Sequence, residues 1–261
     1  MTTIARTLRA EPMWGTVITV DVRDHLNPQD LDEVLAWFVR IDQLFSTWRT
    51  DSEMSRLGRG ELRLRDVSAE VRTVLGLCDE LTADSRGAFD IRVGSDPRVA
   101  AREGLGPVDP SGMVKGWALQ RAAEMLRKAG ITNFLINAGG DLITAGNASP
   151  GQPWQVGIQH PWQRDKVAAV VSISDLGVAT SGRYERGDHI IDPRTGEAAT
   201  SAMSVTVIGP DLALADGYAT AALVLGDEGP EWLDEHPQLA SLTITNDRRT
   251  IVSLSFDDYR C

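Results

Sequence analysis

The spacing of apolar residues predicts three long helices in the first half of the chain. Their runs begin at Pro28, Ser68 and Asp109 and end near Phe45, Gly87 and Gly130. Within each run, apolar side chains recur every three or four residues, which is the period of a helix with one buried face. Proline and serine at the starts and glycine at the stops are typical helix boundaries. We therefore expect three amphipathic helices that pack on a hydrophobic core.

Strand signals dominate the second half. Short runs rich in β-branched residues, several of them alternating between apolar and polar, are typical of half-buried strands. Such runs cover 13–22, which alternates from Thr16 onward, 154–159, 167–173, 177–180, 189–192, 204–208, 242–246 and 250–255. Residues 133–143 predict a strand that enters a double-glycine turn, and 87–94 predict a short strand or turn. Strands and helices that follow one another in irregular order favour an α+β fold over a regular βαβ array.

One later segment, 211–226, is apolar on every face of the helix that it predicts, and a short helix is expected after it at 231–236. A helix that is apolar all round is normally buried. Asp216 and Thr220 lie four residues apart within it, so their oxygens project from one face. Since a buried carboxylate is rarely left without a partner, two interpretations arise. Either Asp216 caps a turn while Thr220 bonds back to a carbonyl, or both oxygens bind a hard cation such as magnesium.

Length and charge restrict the class of partner. With 261 residues, the chain is long enough for one large domain or for two packed lobes. Its net charge of −11 argues against binding to nucleic acid or to anionic membranes, which requires a basic surface. A phosphorylated small molecule is still compatible with this charge, because a metal ion or a helix N-terminus holds phosphate locally.

Cysteine usage and the N-terminus indicate an ordinary cytoplasmic protein. Cys78 and Cys261 are the only cysteines, and their positions match neither a disulfide framework nor a thiolate zinc site. The first residues have no apolar leader, and no apolar stretch reaches the length of about 18 residues that a membrane helix needs. We therefore expect a cytoplasmic location and no membrane segment.

The start of the third predicted helix has the features of an anion site. Ser111 and Gly112 stand where free backbone N–H groups and the positive end of the helix dipole favour an anion. Lys115 would add a point charge to a bound phosphate, or it would pair with Asp109. The alternative is an ordinary helix start with an exposed lysine.

Two further segments are candidates for chemistry. Residues 139–141 read Gly-Gly-Asp, which predicts either a close approach of the backbone to a ligand or a simple tight turn. His189 is the histidine that lies in a patterned segment, a strand leading into a turn with proline, and it is a candidate for proton transfer or for a structural role. No nucleophile-elbow, His-Glu-x-x-His or Walker motif occurs, which excludes the common hydrolase, zinc-protease and nucleotide-triphosphatase interpretations.

Taken in order, several short segments resemble the ApbE family of FAD:protein FMN transferases across nearly the whole chain. These segments are 14–16, 46–56, 87–90, 109–116, 137–141, 189–196 and 215–221. The resemblance implies an α+β fold of the ApbE type, related to the T-fold, with mixed sheets flanked by helices and an FAD site in a cleft between two lobes. It also implies that residues 1–261 form a single flavin transferase domain.

The resemblance implies an activity and a set of site residues. The family binds FAD with magnesium and transfers FMN through a phosphoester bond to a threonine hydroxyl of an acceptor protein, releasing AMP. By position, Asp216 and Thr220 match magnesium-binding side chains, and Gly112 matches a backbone-carbonyl ligand. His189 matches a histidine implicated in transfer, and either it or Asp109 would act as the base. The positions that match FAD contacts are Trp14, Trp48, Ala88, Phe89, Asp90, Asp109, Lys115 and His189.

Some positions depart from the family's usual pattern. Trp14 stands where the family usually has methionine, residues 110–113 read Pro-Ser-Gly-Met, and the loop at 95–108 is shortened. Gly217 and Tyr218 replace a usual Ala-Leu pair beside Asp216. These departures keep two alternatives open beside FMN transfer: magnesium-dependent hydrolysis of FAD to FMN and AMP, and a non-catalytic FAD-binding protein.

Overall fold

A long antiparallel sheet organises the protein. The structure is a computed structural model that describes residues 6–92, 108–186 and 190–261, without the side chains of 185 and 186. Its strands are β1 (Thr7–Met13), β2 (Thr16–Val22), β3 (Phe134–Ala138), β4 (Asp141–Ala145), β5 (Trp154–Gln159), β6 (Val167–Ile173), β7 (Gly177–Gly182), β8 (Ala202–Gly209), β9 (Ala240–Thr245) and β10 (Thr250–Val252). Eight of them form one sheet in the order β1-β2-β3-β4-β7-β8-β9-β10, while β5 pairs with β6 in a separate hairpin. Every pairing between these strands is antiparallel.

Helices cover one face of this sheet. They are α1 (Pro28–Phe45), α2 (Glu53–Gly58), α3 (Ala69–Asp84), α4 (Ser111–Lys128), α5 (Arg183–Arg186), α6 (Leu212–Leu225) and α7 (Gly229–Asp234), with 3-10 turns at Gly226–Glu228 and Leu254–Asp258. The three helices predicted in the first half are confirmed as α1, α3 and α4. Proline begins α1, and the Ser68 hydroxyl accepts a hydrogen bond from the Val71 N–H at the start of α3. The α+β prediction is confirmed. None of the helices in the described ranges combines the length and the apolar character that crossing a membrane requires.

The sheet carries a separate hydrophobic core on each face. Successive residues of a strand point to opposite faces. Accordingly, Leu142 and Val178 belong to the core beneath the β5–β6 hairpin, whereas their neighbours Ile143 and Ala179 belong to the core beneath the helices. Because both faces are covered, β4 is buried at every position.

Helix α6 lies between the sheet and the other helices, as its apolar composition predicts. It packs against β7 and β8 on one side and against α4 on the other. A Cβ atom on Gly217 would lie 2.5 Å from Leu81 Cδ2 and 2.8 Å from Met113 Cε, so glycine permits this close packing. The helix is capped by Asp211, whose carboxylate accepts the Leu214 N–H at 3.1 Å. The interpretation of Asp216 as a turn cap is therefore wrong: Asp216 lies inside the helix.

Several local predictions are corrected. Strand β1 was not predicted, because its exposed residues do not show a clear alternation. The segment 133–143 forms parts of two strands, β3 and β4, joined by the Gly139–Gly140 turn. Residues 190–192 form no strand and make a single bridge from Ile191 to Ala198, since the turn that follows ends the pairing at once. His189 and the loop 93–107 lie outside the described residues.

Candidate active site

The N-terminal turn of α4 is in close contact with α6 and with Phe89. A Cβ atom on Gly112 would lie 3.2 Å from the Phe89 ring and 3.2 Å from Thr220 Oγ1, closer than nearly all real Cβ contacts. Glycine at position 112 therefore lets the backbone of α4 approach the Thr220 hydroxyl and the phenyl ring together. The three segments that carry these residues are far apart in the chain, and the fold brings them together.

One turn further along α4, the backbone donates to Asp216. The Gly116 N–H donates to Asp216 Oδ2 at 2.8 Å, although its regular helical acceptor is the Gly112 carbonyl. A Cβ atom on Gly116 would lie 2.8 Å from Asp216 Cβ, so glycine is needed here as well. A carbonyl oxygen has two lone pairs, and the Gly116 N–H donates to Asp216. The Gly112 carbonyl oxygen therefore retains the capacity to accept or bind another partner.

A second carboxylate, Asp141, completes this cluster. It is fully buried at the first position of β4, directly after the glycine turn. Lys115 Nζ lies 2.6 Å from its Oδ2 atom, and its Oδ1 atom accepts the Thr180 N–H at 3.0 Å. Lys115 therefore forms an ion pair with Asp141. The ion pair between Lys115 and Asp109, which the sequence left open, is not found among the described residues.

The two carboxylates affect one another. Burial raises the pKa of Asp216 well above its ordinary value, and the neighbouring charge of Asp141 raises this pKa further. Lys115 and the Gly116 N–H act in the opposite direction, but they do not compensate for the burial and the second carboxylate. A bound proton or a bound cation would relieve the repulsion between these two acidic side chains.

The oxygen atoms gathered here fit a hard cation. Thr220 Oγ1 lies 2.9 Å from Ser181 Oγ, and it adjoins Gly112 on one side and Asp216 one helical turn away. Carboxylate, hydroxyl and carbonyl oxygens are the ligands that magnesium prefers, and magnesium keeps several positions for water and substrate phosphate. Within the described ranges, no group of three or more His, Cys, Asp or Glu side chains is placed to hold a metal. The cluster therefore offers a cation oxygen ligands of three kinds, carboxylate, hydroxyl and carbonyl.

The segment 85–90 forms the neighbouring wall. Ala88 and Phe89 are buried, and the Phe89 N–H donates to Ser85 Oγ at 3.0 Å. Asp90 Oδ1 accepts two bonds of 2.9 Å from Arg92, one from its backbone N–H and one from Nε. Because the Phe89 ring reaches Gly112, this wall and the carboxylate cluster share a boundary.

The remaining predicted residues lie in different surroundings. Asp109 is exposed, and its Oδ1 atom accepts the Ser111 N–H at 3.0 Å just before α4. Trp48 is 95% exposed in the connection after α1. Trp14, with φ 55°, directs its Nε1–H to the Phe38 carbonyl at 3.3 Å and lines a cavity of about 220 Å³ beside α1. Its bonds are thus made with α1 and not with the carboxylate cluster.

The turn after residue 189 reaches the same wall. Asp192 accepts a hydrogen bond of 2.8 Å from Arg194 Nη2, which holds the turn together. A Cβ atom on Gly87 would lie 4.0 Å from Arg194 Cγ, so the turn packs beside the segment 85–90. His189 itself lies outside the described residues.

Sequence reasoning missed two residues of the cluster. Asp141 was considered only as part of a glycine turn, and Ser181 was not considered. The available signal for Asp141 was a charged residue at the start of an otherwise apolar strand, where burial requires a partner. No sequence signal distinguishes Ser181, because its contact with Thr220 depends on how β7 packs against α6.

Comparisons with known proteins show which family this chain resembles. A family model described as the ApbE family matches residues 14–101 and 99–243. A FAD:protein FMN transferase of Klebsiella pneumoniae (strain 342) is 30% identical over 258 residues, covering 79% of this chain and 74% of the relative. One from Vibrio cholerae serotype O1 is 28% identical and covers 78% of this chain and 75% of the relative. The solved flavin transferase ApbE from Vibrio cholerae has 25% identity and a TM-score of 0.85, covering 98% of this chain and 100% of that chain.

Proposed function

The chain belongs to the ApbE family, and on that premise we propose that it transfers FMN from FAD to a threonine hydroxyl of an acceptor protein. The reaction forms a phosphoester bond, releases AMP and depends on magnesium. The observation that carries this proposal is the buried Asp141–Asp216 pair, which lies beside Lys115 and adjoins Thr220 and Gly112. Such a cluster offers oxygen ligands to a cation, and a cation there would relieve the repulsion between the two carboxylates.

We propose that Asp216, Thr220 and the Gly112 carbonyl hold the magnesium ion, with Asp141 beside them. When bound, the ion neutralises charge on the phosphate oxygens of FAD. A local positive charge matters in a protein whose net charge is −11, because the overall field repels an anionic substrate. Lys115 and the N-terminus of α4 add to it on the same side.

FAD is the substrate in this proposal. Phe89 and Ala88 provide an apolar wall for it, and Asp90, Asp109, Lys115, Trp14, Trp48 and His189 are the further positions proposed to contact it. The burial of Phe89 against Gly112 supports this placement, because it puts an aromatic surface next to the proposed phosphate site.

The chemical step is a displacement at phosphorus. The threonine oxygen forms a bond to the FMN-side phosphorus, while the bond from that phosphorus to the bridging oxygen breaks. AMP leaves with the bridging oxygen, and the hydroxyl proton passes to a base, for which we propose His189 or Asp109. A correctly placed base contributes on the order of 10²–10⁴-fold to such a reaction.

We also propose that the chain acts as one ApbE-like domain. The helix-side core and the hairpin-side core lie on opposite faces of the same sheet, and several strands contribute to both. Separating either the helix layer or the hairpin from the sheet would expose one buried face of β4 and β7, which supports a single unit over two independent lobes.

A flavinylation assay tests the function. The protein is incubated with FAD, magnesium and a candidate acceptor protein, covalent flavin is detected by in-gel fluorescence, and AMP is measured in parallel. We expect fluorescent acceptor and an equal amount of AMP, both abolished by EDTA. An acceptor with its threonine replaced by alanine is the matched control.

Other outcomes would point to the two alternatives. Release of AMP and free FMN without any labelled acceptor would indicate FAD hydrolysis. Tight binding of FAD with neither AMP nor labelled acceptor, across all acceptors tested, would contradict the proposal and indicate a flavin-binding protein.

A further inference from the structure

The free edges of the two sheets differ in how well they are protected. A strand edge with unpaired N–H and C=O groups attracts other chains, and proteins usually protect it with charges, proline, short length or a covering segment. Strand β1 carries the Arg9–Glu11 ion pair and Pro12, and β10 has three residues. The outer edge of β6 is covered by the end of the chain, where Tyr259 and Cys261 bond to β6.

Within the residues that the structure describes, the free edge of β5 has none of these protections. Its six residues read Trp-Gln-Val-Gly-Ile-Gln, without charge and without proline. Strand β6 is its one partner strand within the described residues. An uncharged, six-residue edge is therefore open to pair with an extended segment of another protein.

The register identifies which backbone groups are available. In an antiparallel pair, alternate residues direct their N–H and C=O groups away from the partner strand. The Ser172 N–H donates to the Tyr259 carbonyl at 2.7 Å and the Val170 carbonyl accepts the Cys261 N–H at 3.0 Å, so these two residues of β6 face away from β5. Their partners in the register are Gln155 and Gly157. The backbone groups of Gln155 and Gly157 consequently point to the open edge.

A small cavity lies beside this edge, on the hairpin face of the sheet near the ends of β4 and β7. Its volume is about 70 Å³, and its lining residues are Gly140, Val156, Gly157, Ile158, Gln159, Val178, Thr180 and Tyr184. Gly157 has no side chain, so its contribution to the wall is backbone. On the opposite wall, Gly140 precedes Asp141, and the Thr180 N–H donates to the Asp141 carboxylate at 3.0 Å. The cavity thus adjoins the strand ends that carry Asp141 and Thr180, while the carboxylates themselves lie on the helix face of the sheet.

We propose that the acceptor protein binds here, by adding an extended segment to the β5 edge next to these strand ends. This inference rests on the proposed function. The backbone of the segment would pair with the outward groups of Gln155 and Gly157, as in other complexes formed by strand addition. The cavity is small and its lining is uncharged, so the segment would place a small neutral residue there and carry its threonine towards Asp141 and Asp216.

Proline at position 157 tests the pairing directly. Gly157→Pro removes an N–H that points to the open edge, so the bonds between β5 and β6 are retained. Gly157→Ala is the matched control, because it adds the same Cβ, which meets Val167 Cγ1 at 2.9 Å, and keeps the N–H. Relative to the alanine variant, we expect the KM for the acceptor to rise on the order of fivefold to tenfold, the effect of one lost hydrogen bond. The dissociation constant for FAD should be unchanged.

A second pair of variants guards against misfolding. Gln155→Pro and Gln155→Ala both remove the side chain that bonds to Ser172, and they differ in the outward N–H. If the Gly157 variants show no thermal unfolding transition, the two Gln155 variants test the inference instead. We expect the KM for the acceptor to be higher for Gln155→Pro than for Gln155→Ala, by the same factor.

Three results would overturn the inference. The first is equal acceptor KM values for the proline and alanine variants, with wild-type protein active. The second is a loss of FAD binding in the proline variants, which would assign the edge to the flavin. The third is absence of transfer by the wild-type protein to any acceptor, which would refute the proposed function and this inference together.

Discussion

Asp216 and Tyr218 are two residues apart on α6 and lie in contrasting surroundings. Asp216 is buried against a second carboxylate, Asp141, and its pKa is raised by burial and by that charge. Tyr218 is half-buried, donates its hydroxyl to Asp84 Oδ2 at 2.7 Å and stacks on Trp232 with ring centroids 4.9 Å apart. Asp216 is destabilised as a carboxylate by its surroundings, in which Lys115 only partly opposes burial and Asp141, whereas the Tyr218 hydroxyl has a complete hydrogen bond within the protein.

This difference distinguishes the proposed ligand site from a structural contact. Burying two carboxylates together costs free energy, which a bound proton or a bound cation would offset. A hydroxyl that donates to a half-exposed carboxylate needs no ligand. His236 packs edge-on against the Tyr218 ring at 4.6 Å and extends that aromatic contact to the end of α7. Gly217, which lies between the two groups, allows α3 and α4 to pack closely around the helix.

The largest effect is expected from Asp216→Asn. Asparagine keeps an oxygen for the Gly116 N–H but removes the charge, so magnesium-dependent turnover should fall by at least about 10²-fold. The unfolding free energy without metal should not decrease, because a buried charge is removed. Flavinylation rates and thermal unfolding with and without magnesium measure both effects.

Asp211→Asn is the control for this variant. It lies on the same helix, and asparagine replaces aspartate well as an N-cap. We expect its turnover and its stabilisation by magnesium to match the wild type. Full magnesium-dependent activity in Asp216→Asn would show that the ligand is assigned incorrectly.

A smaller effect is expected from Lys115→Met. The substitution leaves the buried Asp141 carboxylate without its cation, which should lower the unfolding free energy by about 1–3 kcal/mol without magnesium. Added magnesium should restore part of this loss, since the ion then faces both carboxylates. Chemical denaturation measures the change, with Lys128→Met, an exposed position in the last turn of α4, as the control. An equal loss of unfolding free energy in Lys115→Met and Lys128→Met would argue against a stabilising ion pair between Lys115 and Asp141.

The smallest effect is expected from Tyr218→Phe. Loss of one hydrogen bond should reduce the unfolding free energy by about 1 kcal/mol, while kcat changes less than twofold. Burial, followed by the hydrogen bond to Asp84, raises the pKa of Tyr218 above its ordinary value of 10.0. The unfolded state therefore loses this proton first as the pH rises.

The pH dependence gives the sign of this contribution. The stabilisation by Tyr218 should be fully present below about pH 10 and should decline above it, by about 0.5–1 kcal/mol per pH unit after allowance for solvent screening. Tyr218→Phe should remove this part of the decline. Tyr259→Phe, whose hydroxyl makes no hydrogen bond within the described residues, should retain it. A large fall in kcat for Tyr218→Phe would contradict the structural role of Tyr218 and would assign this residue to the active site.

Local periodicity was sufficient for the helices and for most of the strands. In α1 and α4, the signals are local: apolar residues recur every three or four positions, and the residues that begin and end the helix are its immediate neighbours. Such signals are visible in the sequence without knowledge of the fold. Strand β1 escaped prediction because an edge strand with exposed residues depends on its partner β2 for its conformation. The same holds for residues 190–192, where a strand-like pattern found no partner beyond one bridge.

The sequence by itself was enough to predict the helix that contains Asp216 and Thr220. It was also enough to single out Gly112 and to reveal the resemblance to a family. Only the tertiary structure decided that Asp141 lies against Asp216, that Lys115 pairs with Asp141 and that Ser181 reaches Thr220. The physical reason is distance along the chain: these contacts join β4, β7, α4 and α6. The geometry of these contacts depends on how closely α4 and α6 pack on each other, at glycine positions, and on the sheet. No local sequence pattern encodes that packing.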